Sequence, residues 1–107
     1  MLTLPQTIGD YFALPTNASL AALSRVLDED IVVRDEHRTY EGLTAVRDWR
    51  IDTMARTPSR ARPTCVEEHG DTVVVTAEVS GNFPGSPVML DHRFSLRDAR
   101  ITALEIA

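Results

Sequence analysis

Lysine is absent from this chain: all eleven basic side chains other than histidine are arginines. That excludes a Schiff-base mechanism through a lysine amine and a Walker-type phosphate loop. Cysteine occurs once, at Cys65, so no disulfide can form within the chain, and a reducing, cytoplasmic compartment is expected. In the strand-like Pro63-Thr64-Cys65-Val66-Glu67, with no base nearby to activate a thiol, Cys65 reads as a packing residue. Aromatic residues make up only 6% of the chain, so stacking platforms are few and a planar substrate is not implied. Met1-Leu2-Thr3-Leu4-Pro5 lacks the basic segment and apolar run of a secretory signal, and no stretch reads as a membrane span. The net charge is -5 and the arginines are interleaved with carboxylates, which argues against a nucleic-acid partner.

What remains is an ordinary globular composition, 43% hydrophobic and 25% charged over 107 residues. One domain spanning 1–107 is expected, burying roughly two-thirds of its unfolded surface. No repeat, low-complexity tract or linker interrupts it. Thr3 and Gln6, with Pro5 between them, read as a capping box opening a short helix on which Ile8, Tyr11 and Phe12 share a face. Pro15 stops it. Asn17 or Ser19 can cap a second helix, with Leu20, Leu23 and Leu27 at helical spacing until Asp28-Glu29-Asp30. Ile31-Val32-Val33 begins a strand, and Gly42 marks the turn into a third helix whose Leu43, Val46, Trp49 and Met54 form an apolar stripe ending before Pro58.

From there the period changes to two, predicting strands near Ala61–His69, Thr72–Ser80, Val88–Leu96 and Ile101–Ile106. Helices followed by an antiparallel meander make an α+β fold. Val73, Val74 and Val75 are consecutive, and strict alternation puts Ile101 and Ala103 on one face of the last strand and Leu104 and Ile106 on the other. Two apolar faces imply that both are covered, which predicts a homodimer packed through the outer sheet face.

The run Val33-Arg34-Asp35-Glu36-His37-Arg38-Thr39-Tyr40-Glu41-Gly42-Leu43-Thr44-Ala45-Val46-Arg47-Asp48-Trp49 resembles the signature of SnoaL-like proteins. The likeness continues through Phe83-Pro84-Gly85-Ser86-Pro87 to the C-terminus. These proteins sit in the nuclear transport factor two-like superfamily with the ketosteroid isomerases. The resemblance implies a cone-shaped α+β barrel, three N-terminal helices packed on a strongly curved antiparallel sheet, enclosing an apolar pocket. It also points to a dimer. Superfamily members range over isomerases, cyclases, hydrolases and proteins with no known reaction.

Asp35 shares a strand face with Ile31 and Val33 and lies where the isomerases carry their general-base aspartate. A base there removes a proton beside a carbonyl, and a raised pKa helps it do so. The alternative is a carboxylate bonded to the turn before Gly42 or paired with Arg38. Tyr11 matches the isomerases' oxyanion-donating tyrosine on the first helix; otherwise it is a core phenol bonded to a nearby carbonyl. Asp91-His92 spells the isomerase dipeptide that supplies a protonated aspartic acid. Alternation with Leu90, Phe94 and Leu96 nevertheless turns His92 inward and Asp91 outward. An inward histidine is then a hydrogen-bond donor or an acid–base partner of Asp35, or simply a bonded core residue.

Phe12, Trp49, Met54, Leu90 and Phe94 complete the expected pocket wall. Asp35, His37 and His92 lack metal-ligand spacing, so no metal is expected, and no organic cofactor is required. Ser86 lacks a nucleophile-elbow context. Glu78 and the Arg47-Asp48 pair read as outward-facing charges. Three readings follow: an isomerase or cyclase acting on a small hydrophobic or carbonyl-containing molecule, a non-catalytic ligand-binding or dimerisation module, and a protein whose pocket is filled by its own side chains.

Overall fold

A proline starts the first helix of the computed structural model, which describes residues 2–107. The Pro5 carbonyl accepts the Gly9 N–H at 2.9 Å, and helix α1 runs over Gln6–Ala13. The Thr3 capping box does not form. Pro5 itself occupies the N-cap, and no side chain caps the helix. Helix α2, Leu20–Ser24, is capped by Ser19, whose hydroxyl accepts the Ala22 N–H at 3.1 Å. It is shorter than predicted because strand β1 begins at Leu27 and continues to Asp35. Between Leu27 and Val32 the register against the neighbouring strand shifts, so Leu27, Ile31 and Val33 are all buried. That irregular spacing imitates a helix in the sequence.

Strand β2, Arg38–Glu41, was not anticipated. It pairs antiparallel with β1 through a two-residue turn in which Glu36 (φ 52°) and His37 (φ 65°) are both left-handed. Asn-Gly usually marks such a turn, and Glu-His gives no such signal. Gly42 then turns the chain at φ 89°, donating its N–H to the Ile31 carbonyl at 2.8 Å, and helix α3 runs over Leu43–Arg56. Val46 and Trp49 are its buried residues.

The remaining strands are β3 (Ser59–His69), β4 (Thr72–Gly81), β5 (Val88–Arg97) and β6 (Arg100–Ile106), within about two residues of their predicted bounds. They form an antiparallel meander. The full sheet has the order β2-β1-β6-β5-β4-β3, with β1 and β6 parallel, so the expected antiparallel sheet is mixed at that one junction. β2 and β3 are free edges, so the curved sheet is an open cone rather than a closed barrel. Register shifts also interrupt β3 at Pro63/Cys65 and the β5–β6 pairing at Ser95/Leu96. Such bulges bend a sheet and increase its twist.

The β5–β6 shift changes the reading of the last strand. Leu96 pairs with Ile101 and Ser95 with Ala103, leaving Thr102 as the extra residue. Ile101 and Leu104 therefore both enter the core, at 0% and 2% exposure, and β6 does not have two apolar faces. The convex face instead carries Asp91, Arg93 and Glu105, with Arg93 and Glu105 4.0 Å apart. Cys65 is also corrected: it is exposed on edge strand β3 and packs no core. The core lies on the concave side, where Ile8, Leu23, Ile31, Val46, Val75, Phe94, Ile101 and Leu104 are buried between the helices and the sheet.

Candidate functional site

The helices do not fill the concave side. A cavity of about 650 Å³ opens between α1, α3 and the inner faces of β4 and β5, with Tyr11, Phe12, Asp35, Trp49, Met54, Leu90 and His92 in its wall. That volume suits a ligand of drug-like size. Phe94, expected in the wall, is wholly buried behind it. Its ring supports the wall, edge-on to Tyr11 at 5.3 Å and to Phe12 at 5.9 Å and stacked on His92 at 6.3 Å between centroids.

Asp35 reaches the cavity because β1 keeps it on the face of Ile31 and Val33 up to the hairpin turn. Arg38 is its ladder partner, yet the Asp35 carboxylate bonds instead to Trp49, whose indole Nε1 donates to Oδ2 at 3.3 Å. Tyr40 packs against the indole at 5.7 Å. Burial raises the Asp35 pKa above the ordinary carboxylate value of 3.8, with the Trp49 bond opposing it and the neighbouring Glu36 charge adding to it. The carboxylate is half-buried and ionisable, the setting in which it gains basicity without losing access.

His92 is turned inward, as alternation on β5 predicts, and is 6% exposed. Burial lowers its pKa below 6.5, so the ring is neutral at pH 7. Nδ1 lies 3.3 Å from the Leu90 carbonyl, which can only accept, so Nδ1 carries the proton. Nε2 of the neutral ring is then a proton acceptor. The hydrogen-bond donor role expected of His92 belongs to the other tautomer or to the protonated ring. Asp91 faces outward and accepts from the Thr76 hydroxyl at 2.8 Å.

Tyr11 is buried, and desolvation holds its phenol above 10.0 with the nearby Arg50 charge opposing the rise. It is thus a protonated donor at neutral pH. Arg50 is the residue that sequence reasoning missed. Its guanidinium carbon lies 5.3 Å from the Tyr11 ring centroid, and Nη2 donates to the Leu14 and Pro15 carbonyls at 3.4 and 3.3 Å. The signal was an arginine four residues after Val46 and seven after Leu43, on the flank of an otherwise apolar stripe. Of the other titratable candidates, His37 is exposed at the hairpin turn. Among the described residues no group of three or more His, Cys, Asp or Glu side chains is placed to hold a metal ion. No helix among them is long and apolar enough to cross a membrane.

The family profile described as SnoaL-like domain matches residues 8–104 of this sequence. No curated protein matches it. Among solved structures, a Sinorhizobium meliloti protein provisionally named a polyketide cyclase is 36% identical with a TM-score of 0.89, over 97% of this chain and 95% of that one. A protein of ketosteroid isomerase-like fold from Catenulispora acidiphila, in complex with trimethylamine, is 21% identical with a TM-score of 0.81, over 98% and 86% of the two chains. An Agrobacterium tumefaciens protein of the SnoaL-like family, provisionally named an isomerase, is 15% identical with a TM-score of 0.78, over 94% and 92%.

Proposed function

We propose, starting from the fact that this chain belongs to the SnoaL-like domain family, that its pocket binds a small hydrophobic carbonyl compound and removes a proton beside the carbonyl. The observation that carries the reading is a half-buried carboxylate of raised pKa, Asp35, in the wall of an open cavity that also contains a protonated phenol. A pocket filled by its own side chains, the third reading of the sequence, does not fit a cavity of about 650 Å³.

The Asp35 carboxylate takes the α-proton, the C–H electron pair becomes the new C=C bond, and the carbonyl π pair moves to oxygen. Tyr11 donates a hydrogen bond to the enolate oxygen, where negative charge develops. In an isomerisation the Asp35 carboxylic acid returns its proton to a different carbon. In a cyclisation the enolate carbon attacks a second carbonyl of the same molecule, and Asp35 protonates the alkoxide. His92, with Nε2 unprotonated, accepts a hydrogen bond from a substrate hydroxyl. Neither route consumes a cofactor.

Deuterium wash-in at the α-carbon of β-tetralone, an enolisable bicyclic ketone, tests this reading by NMR. The wild type accelerates exchange over buffer and Asp35→Asn loses about 10²–10⁴-fold of that acceleration, the usual contribution of a general base. Equal rates in the two proteins would leave the non-catalytic ligand-binding alternative.

The same reading includes a homodimer, held by a small apolar patch on the convex face and not by a whole second apolar face. Val74, Ala103 and the 54%-exposed Met89 are apolar residues at convex-face positions among charged neighbours. Sedimentation at twice the 11.9 kDa chain mass supports pairing, and a monomer ends it. The proposed compartment is the cytoplasm, where an exposed, unpaired Cys65 stays reduced.

A further inference from the structure

Arg50 is a cation set into the cavity wall without a counter-ion. Among the described residues, ion pairs join Arg47 to Asp48, Arg56 to Asp52, Arg62 to Glu78, Arg93 to Glu105 and Arg97 to Asp28, and none involves Arg50. Its hydrogen bonds to backbone run from Nη2, to two carbonyls at the long end of the range, and the guanidinium also lies against the Tyr11 hydroxyl, a neutral group that leaves the charge uncompensated. Nε is buried with no partner at all. Of the two carboxylates that border the same cavity, Asp35 is engaged by Trp49 and Glu36 is exposed at the hairpin turn; neither forms an ion pair with Arg50. A partly buried charge without a partner is unfavourable, and a fold keeps such a group where something else completes it. Arg56 and Arg60 also border the cavity near the end formed by α3 and β3. A chain of net charge -5 thus lines its pocket with three arginines, of which Arg56 is already paired with Asp52.

We infer that the ligand carries a carboxylate, bound at Arg50, so that the pocket selects small hydrophobic carbonyl acids over their neutral counterparts. This rests on the reading of the pocket given above and names its substrate class. The guanidinium fork suits a carboxylate because two parallel N–H donors match its two oxygens, and the bond is charge-assisted on both sides. Arg60 is exposed and belongs to none of the ion pairs above, so it adds attraction at the mouth. The competing role for Arg50 is a latch that holds the Leu14-Pro15 turn over the Tyr11 ring. A latch has no preference between charged and neutral ligands.

Calorimetric titration with cyclohexylacetate and with its neutral isostere cyclohexylacetamide separates the two roles. The wild type binds the carboxylate at least about tenfold more tightly, the difference expected of one charge-assisted hydrogen bond. Arg50→Gln loses that preference while binding the amide as the wild type does, and Arg50→Lys keeps part of it. A wild type that binds both probes equally, or neither at millimolar concentration, overturns the inference, as does an Arg50→Gln protein that keeps the full preference. Circular dichroism first establishes that the variants are folded. If Arg50→Gln is not, the Arg50 Nε–H resonance of ¹⁵N-labelled wild type decides: movement with the carboxylate and not with the amide supports the inference, and no movement overturns it. Asp35→Asn keeps the carboxylate preference and loses deuterium wash-in, followed here on (2-oxocyclohexyl)acetate, an enolisable ketone that carries the carboxylate. Preference without Asp35-dependent wash-in therefore sinks only the proton-abstraction reading, and wash-in without preference sinks only this one.

Discussion

The indole N–H of Trp49 reaches across from α3 to the Asp35 carboxylate at 3.3 Å, joining the third helix to the end of the first strand inside the cavity. This bond fixes the carboxylate's direction. It also opposes the burial that raises the Asp35 pKa.

Trp49→Phe removes the donor and keeps an aromatic ring. The Asp35 pKa then rises above its wild-type value, because burial remains and its main opposing influence is gone. Carboxyl ¹³C titration of the two proteins measures the difference. An unchanged pKa would mean that the bond does not persist in solution.

Asp35 and His92 give stability opposite dependences on pH. The folded-state pKa of His92 lies below 6.5, so as pH falls through 6.5 the unfolded chain takes up the proton first and stability is lost down to the folded pKa. His92→Gln removes that part of the acid lability. The folded-state pKa of Asp35 lies above 3.8, so its contribution is fully favourable below 3.8 and is lost as pH rises through the folded value. Asp35→Asn therefore melts higher than the wild type at pH 7, provided the amide oxygen keeps the Trp49 bond. Thermal melts across pH 3 to 8, about the range that brackets both reference values, check both signs.

Phe94→Ala removes the ring that supports three wall residues. It costs about 3–5 kcal/mol in denaturant unfolding, the usual loss for a buried aromatic. Loosening of Tyr11 and His92 follows, seen as averaging of their ring resonances. A loss below about 1 kcal/mol would contradict the packing described, because that is the scale of surface substitutions.

Two glycines separate backbone strain from crowding. An added Cβ meets nothing within 4 Å at Gly42 or at Gly9. Gly42 combines φ 89° with ψ 161°, a region nearly reserved for glycine, so Gly42→Ala costs about 1–3 kcal/mol. Gly9 lies within α1, and Gly9→Ala stabilises by roughly 0.5–1 kcal/mol. Urea titrations that gave both the same sign would refute the assignment.

Much of this molecule was legible in the sequence because its signals are periodic. Alternation around Leu90, Phe94 and Leu96 put His92 inward against the letter match that favours Asp91, and the meander strands followed from the same rule. Two misreadings share one cause, local breaks in period: the β1 irregularity made Leu27 look helical, and the Thr102 bulge made one apolar face look like two. β2 was hidden instead by a Glu-His turn that carries none of the usual turn residues. Arg50 escaped notice for a different reason: an arginine beside an apolar stripe reads as solvated until the turn at Leu14 and Pro15 is seen to close over it. Phe94 moved from the wall to its support because alternation gives the face of a strand and not the depth.

The most direct measurement is the titration of Asp35 itself, by carboxyl ¹³C NMR in the folded wild-type protein with Asp35→Asn to assign the signal. A carboxylate desolvated in the pocket wall titrates above 3.8. A value at or below 3.8 would show a solvated or strongly paired aspartate and remove it as the base.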